Sequence, residues 1–204
     1  MSNVHLSPFY DMLQERKDGA KKTMRDIRIH GRRAQGSLVL AQFIAIAAVE
    51  EGKFGQTFSP KKEKGQRGDH VQVFVRIDDQ AIRLRDPFSS PDYVIVQDST
   101  VLGEVDILEG LKKGGMVIIN TEKPLSLPNK ESFRWIEVPA YKIAAEVTGK
   151  PWMNAALLGA FSAVTKEISF QSIEKAIKKR YYGRLEIQDV EIAWKAYELF
   201  RNKT

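Results

Sequence analysis

From residue 26 onward the apolar positions fall into short runs and stripes whose spacing predicts the elements. Asp26-Ile-Arg-Ile-His30 alternates and suits a strand. After the loop Gly31-Arg-Arg-Ala-Gln-Gly36, residues 37–51 are apolar around most of the helical circumference and close at Gly52, which predicts a buried helix. Phe54–Phe58 reads as a second short strand. Val71, Val73, Val75 and Ile77 alternate with Gln72, Phe74 and Arg76, and Ala81–Leu84 returns after Asp78-Asp79-Gln80, which predicts a hairpin. Tyr93-Val-Ile-Val-Gln97 and Met116–Asn120 are continuous β-branched or apolar runs, as central parallel strands require. Between them Ile107, Leu108 and Leu111 stand at helical spacing before Gly114-Gly115, predicting a helix over 104–113 and a right-handed βαβ crossover. Phe133–Val138 is a further strand. Helices are predicted over 140–148 (stopped by Gly149 and Pro151), 154–164, 169–182 and 190–200. The pattern is α/β: a three-layer, mostly parallel open sheet with a buried first helix, one hairpin and C-terminal helices.

Length places these elements in one domain, residues 25–204, of a 204-residue chain. Residues 1–24 are polar and charged, with few apolar anchors (Phe9, Tyr10, Leu13), and read as an N-terminal arm whose order depends on a partner. The longest apolar run, Leu38–Val49, is too short to span a bilayer and contains Gln42. The first residues lack the basic-then-apolar layout of a secretory signal, so a cytoplasmic protein without membrane association is expected.

Charge and residue chemistry narrow the function classes. There is no cysteine, hence no disulfide, thiolate nucleophile or cysteine-ligated cluster in this chain. The three histidines, His5, His30 and His70, are not at metal-ligand spacing on one element. The Glu50-Glu51 and Asp78-Asp79 pairs point apart and read as surface charge. A formal net charge of +6 raises nucleic acid as a partner, but the cations lie in separate clusters without interleaved aromatics, so none is expected.

The strand–loop–helix around Gly31–Gly36 is the leading local signal. A glycine-bearing loop lets backbone N–H groups approach a phosphate while the helix N-terminus adds positive potential. A dinucleotide fingerprint needs G-x-G-x-x-G, and Arg33 and Ala34 interrupt it here. Arg32 and Arg33 could meet an anion or an acidic subunit, and a tight turn with exposed arginines remains the plainer reading. Asp98-Ser99-Thr100 lies at a strand's carboxyl end, the ligand edge of an open α/β sheet, yet Ser99 has no evident activating base and Asp98 is expected to cap the next turn. No side chain is assigned a catalytic or metal-ligating role.

Several segments, taken in order, carry a resemblance. They are Ile29-His-Gly-Arg-x-Ala-Gln-Gly36, Glu51-Gly-Lys-Phe54, Arg67-Gly68 ahead of Val75-Arg-Ile77, Pro91-Asp-Tyr-Val-Ile-Val-x-Asp98, Gly115-x-Val-Ile-Ile-Asn-Thr121, Lys142-Ile-Ala144, Gly149-Lys-Pro151, and Asn154 before Leu158-Gly-Ala-Phe161. Together they resemble, over roughly residues 26–200, the gamma subunit of 2-oxoacid:ferredoxin oxidoreductases, which corresponds to one domain of single-chain pyruvate:ferredoxin oxidoreductase.

That resemblance implies a thiamine-diphosphate-dependent oxidative decarboxylation of pyruvate or a related 2-oxoacid to an acyl-CoA, with reduction of ferredoxin. It implies alpha, beta and delta subunits as partners. Thiamine diphosphate, Mg and 4Fe-4S clusters would lie in those chains, coenzyme A at an interface, and no cofactor on this chain alone. It makes Gly31, Arg32, Arg33, Gln35 and Gly36 a partner or coenzyme-A-side loop, with Arg67 and Gly68 in a second loop. Two departures stand out: Arg33 where the family loop usually has a small residue, and a longer, lysine-rich Phe58–His70 segment. The alternatives are a stand-alone nucleotide- or CoA-binding regulatory module without redox role, and a divergent paralogue that keeps the scaffold role.

Overall fold

The computed structural model describes residues 23–60, 69–84, 87–126, 131–181 and 183–203. Among them are six strands: β1 (Arg25–Arg32), β2 (Phe54–Phe58), β3 (His70–Asp78), β4 (Tyr93–Val96), β5 (Met116–Asn120) and β6 (Arg134–Val138). The helices are α1 (Ser37–Glu50), α2 (Ala140–Thr148), α3 (Met153–Thr165), α4 (Phe170–Arg180) and α5 (Arg184–Phe200). The sheet order is β2-β3-β1-β4-β5-β6. Strands β1, β4, β5 and β6 run parallel, while β3 is antiparallel to both β1 and β2. The architecture is the α/β, mostly parallel open sheet that the hydrophobic pattern predicts.

Alternation along β1 sorts the two faces of the sheet. Ile27 and Ile29, both fully buried, join the helix-side core with α1, α3 and the inward faces of α2, α4 and α5. Asp26, Arg28 and His30 are also buried but point the other way, where Val94, Val96, Val117 and Ile119 meet Val101, Ile107 and Leu111. Each buried charge on that row has a structural task. Arg76 Nε donates to Asp26 at 2.8 Å, and the Arg76 guanidinium lies over the rings of Phe58 and Phe88. Arg28 donates to the carbonyls of Ile107 and Glu109 at 2.9 and 2.7 Å.

Two expectations are corrected by this arrangement. Residues 104–113 form turns in place of a helix. The Ile107 and Glu109 carbonyls are taken by Arg28, Leu111 N bonds back to Leu108, and Gly110 sits at a φ of 68° against the Ser89 carbonyl. The layer on this face is therefore a 3-10 turn (Ser99–Gly103) and irregular chain packed on the sheet. The hairpin is also re-paired: β3 lies between β1 and β2, so both its edges are filled and 81–84 is not a strand. The predicted C-terminal helices are present, with α5 starting earlier than expected at Arg184.

Glu50 and Glu51 are not idle surface charge. Glu51 accepts from Ser169 N and from Ser172 Oγ at the start of α4, and Glu50 pairs with Lys179 near its end. The expected arm lies outside the described residues up to residue 22; Thr23 donates its hydroxyl to Asp78 at the end of β3. No helix among the described residues is long and apolar enough to cross a membrane.

Candidate functional site

The carboxyl ends of β1, β4 and β5 converge at one sheet edge, where an open α/β fold presents ligands. Gly31 and Arg32, expected in a loop, are the last residues of β1 and pair with Val71 and His70 of β3. The turn proper is Arg33-Ala-Gln-Gly36, which passes directly into α1. Gly36 takes the left-handed conformation (φ 72°) as N-cap and its carbonyl accepts the first helical bond, from Leu40 N. Gly31 has a separate reason to be glycine: an added Cβ would lie 2.2 Å from Gln97 Oε1.

A chain of amide side chains holds the turn from beneath. Ser37 Oγ donates to Gln97 Oε1, and Gln97 Nε2 donates to Asn154 Oδ1 at 2.6 Å. Asn154 Nδ2 donates to the backbone carbonyls of Gln35 and Gly36 at 3.0 and 3.3 Å. Asn120, at the end of β5, donates to the Gln97 carbonyl and accepts from Ala140 N, tying the same edge to the start of α2. Gln35 closes the turn on itself: its Oε1 accepts from Arg32 N at 2.7 Å and its Nε2 donates to Asp98 at 2.8 Å. Asp98 caps the following 3-10 turn through Thr100 N, as expected. Its hydrogen bonds from Thr100 and Gln35, with Arg32 nearby, hold its carboxyl below the usual range against the opposing effect of burial.

The two arginines differ in availability. Arg32 is engaged by Glu104 at 2.6 Å, Asp69 at 2.5 Å and the Thr100 hydroxyl at 2.6 Å. These contacts raise its already high pKa and fix the guanidinium over the edge. Arg33 is exposed and its side chain makes no hydrogen bond or ion pair among the described residues. Its backbone is not left-handed; the positive φ of 68° falls on Ala34. The conformational departure in this loop is therefore Ala34, not Arg33. Arg67 and Gly68, the expected second loop, lie outside the described residues.

Gln97, Asn120 and Asn154 were missed as site residues. Gln97 and Asn120 carry a readable signal, a polar residue ending an otherwise apolar strand run. Asn154 stands at a helix start and in one of the segments that carry the resemblance, but nothing local gives it a partner. Beside the turn, a groove of about 580 Å³ is lined by Gly36, Phe43, Tyr141, Trp152 and Asp189 among others, and a second hollow of about 310 Å³ holds Asp98, Asn120 and Tyr141. Among the described residues no three His, Asp or Glu side chains are grouped to hold a metal ion. The edge offers a fixed cation, a free cation and rigid backbone, which suits docking of an anionic group or a partner chain.

Comparison with known proteins places the chain in a family. The model described as "Pyruvate ferredoxin/flavodoxin oxidoreductase" matches residues 26–201. The chain is 44% identical over 181 residues to pyruvate synthase subunit PorC of Methanosarcina barkeri, covering 88% of this chain and 99% of that one. It is 40% identical over 179 residues to the pyruvate/ketoisovalerate oxidoreductases common subunit gamma of Thermococcus litoralis, covering 86% and 96%. Among solved structures, pyruvate oxidoreductase subunit PORC from Thermotoga maritima superposes with a TM-score of 0.73 at 31% identity, over 87% of this chain and 97% of that chain.

Proposed function

The chain belongs to the pyruvate ferredoxin/flavodoxin oxidoreductase family, and from that membership we infer that it is the gamma-type subunit of a multi-subunit 2-oxoacid:ferredoxin oxidoreductase. The complex oxidatively decarboxylates pyruvate or a related 2-oxoacid to an acyl-CoA and passes the electrons to ferredoxin. The observation that carries this reading is the near full-length match, at 44% identity, to a pyruvate synthase subunit. Thiamine diphosphate, its Mg and the 4Fe-4S clusters belong to the alpha-, beta- and delta-type partners. Iron–sulfur ligation does not fit this chain, which has no cysteine to supply thiolates.

This chain's contribution is positional. The turn 33–36 is locked by Asn154 and Gln35, so whatever it presents is held without further ordering cost. Arg32 orients that turn through its carboxylate partners and is spent on doing so. Arg33, whose side chain has no partner among the described residues, faces in this reading a phosphate of coenzyme A or an acidic patch at the subunit interface. A long side chain is accommodated there because the turn's left-handed residue is its neighbour.

The test uses the reconstituted complex. Co-expression with the thiamine-binding and ferredoxin-like chains should yield one assembly with pyruvate- and CoA-dependent reduction of ferredoxin, whereas this chain alone should show no turnover. Within the assembly, Arg33→Ala should raise the KM for coenzyme A by roughly tenfold, the weight of one charge-assisted hydrogen bond, without lowering thermal stability. An unchanged KM and unchanged assembly would remove Arg33 from the site. Micromolar binding of ADP, NAD or coenzyme A to the isolated chain would favour a stand-alone module in its place.

A further inference from the structure

The groove beside the turn contains a feature that the positional role leaves unused. Its walls are aromatic: Phe43 and Tyr181 pack with ring centroids 5.7 Å apart, Tyr141 enters from α2, and Trp152 stands at the rim 40% exposed. Leu185 and Asp189, one turn apart on α5, form the remaining side, and Leu185 is 44% exposed. The Asp189 carboxylate makes no hydrogen bond or ion pair among the described residues. Burial pushes its carboxyl up to about 6, and no cation among the described residues offsets that rise.

Two of the chain's own cations beside the groove are engaged elsewhere. Arg180 lies over the Phe43 and Tyr181 rings and donates to Gln42 at 2.9 Å, and Lys150 lies over the Trp152 ring. Neither comes within ion-pair distance of Asp189. A carboxylate kept in an apolar, aromatic hollow without a partner is destabilising for the free chain, and a cation arriving with a flat apolar face would relieve it. A guanidinium has that form: it stacks on aromatic faces and offers two parallel N–H donors to one carboxylate. An exposed Trp and Leu flanking the same opening extend the contact beyond what a small cation would cover. Protein interfaces have this composition at their anchoring points, with Trp, Tyr and Arg enriched at the centre.

We propose that the Phe43–Trp152–Asp189 groove is a docking socket for an arginine side chain projected by another subunit of the same complex. The inference rests on the subunit reading above. The socket lies on the helix side of the turn, so an arginine seated in it would bear on the carbonyl-locked segment Gln35-Gly36 through the shared groove wall.

The experiment is made on the intact complex. A photo-crosslinking amino acid at Leu185 should join this chain to a peptide of another subunit that contains an arginine. Asp189→Asn, which keeps size and removes charge, should weaken association of this chain with the rest of the complex by roughly tenfold or more. It should leave the isolated chain at least as stable as its parent, and Asp189→Glu should recover part of the association. Trp152→Ala should weaken association as well. Parental association of Asp189→Asn would overturn the proposal, as would crosslinks found only to a second copy of this chain. If the parent chain itself fails to assemble with the thiamine-binding chain, the subunit reading falls first. Parental assembly that is indifferent to Asp189 sinks the socket alone.

Discussion

At the scale of single residues, the loop shows how a side chain's identity and its backbone conformation can carry different messages. From the sequence Arg33 is the conspicuous departure, because it is large and charged. The backbone places the cost one residue later, on Ala34 at a φ of 68°. A left-handed conformation costs an L-residue roughly 1–2 kcal/mol, and glycine escapes it while gaining freedom in the unfolded chain. Ala34→Gly should therefore stabilise the protein by about 1 kcal/mol, read as a rise in denaturant midpoint at unchanged m-value. A lowered midpoint would mean that the Ala34 methyl, which lines the groove, contributes more by packing than the conformation costs. The site was only partly legible for the same reason. Gly31, Gln35 and Gly36 announce themselves by type and spacing, whereas Asn154 meets Gln35 across 119 positions, a separation that no local pattern encodes.

At the scale of elements, periodicity found the buried strands and helices and failed where tertiary bonds replaced local ones. The helices α1 and α3 were legible because they are apolar all round, and burial requires little else. The segment 104–113 has helical spacing too, but its backbone bonds are spent on Arg28 and on short turns. The β3 pairing was hidden because β1 reaches it across the whole of α1 and β2. The α3–α5 contact offers a test of how tightly the helices must approach. A Cβ on Gly159 would lie 2.0 Å from the Ala193 carbonyl oxygen, and backbone on both sides leaves no flexible end to yield. Gly159→Ala should then cost about 3 kcal/mol despite its better helix propensity, measured by equilibrium unfolding. A neutral or stabilising outcome would show that α5 can move away freely.

At the scale of the whole molecule, the two faces of the sheet respond differently to acid. The helix-side core is built mainly of apolar side chains. The opposite face holds His30, 1% exposed, whose Nδ1 lies 3.0 Å from His70 Nε2. Burial, with Arg28 and His70 adding to it, pushes the His30 pKa down to about 3. Its folded pKa lies below the unfolded value of about 6.5, so the unfolded chain takes up the proton first. Stability is complete above pH 6.5 and falls as pH drops from there towards about 3. The loss from this one group between pH 7 and pH 5 should be about 2 kcal/mol. His30→Gln, which does not titrate, should lose correspondingly less over the same interval. Equal losses in parent and variant would assign acid sensitivity to other groups.

The charged row on β1 has one more consequence, for how the sheet finds its alignment. Side chains on a strand alternate, so a slip of one position exchanges the two faces completely. In β1 that slip would drive Asp26, Arg28 and His30 into the helix-side hydrocarbon and turn Ile27 and Ile29 towards the carbonyls that Arg28 now serves. The Asp26 and Arg28 charges would enter without their partners, at a cost of several kcal/mol each. Strand β1 is central and pairs in opposite senses with β3 and β4, so a single misaligned strand would corrupt both ladders at once. Its buried charges thus act as an indexing key: they admit one alignment of the sheet and exclude its nearest competitors.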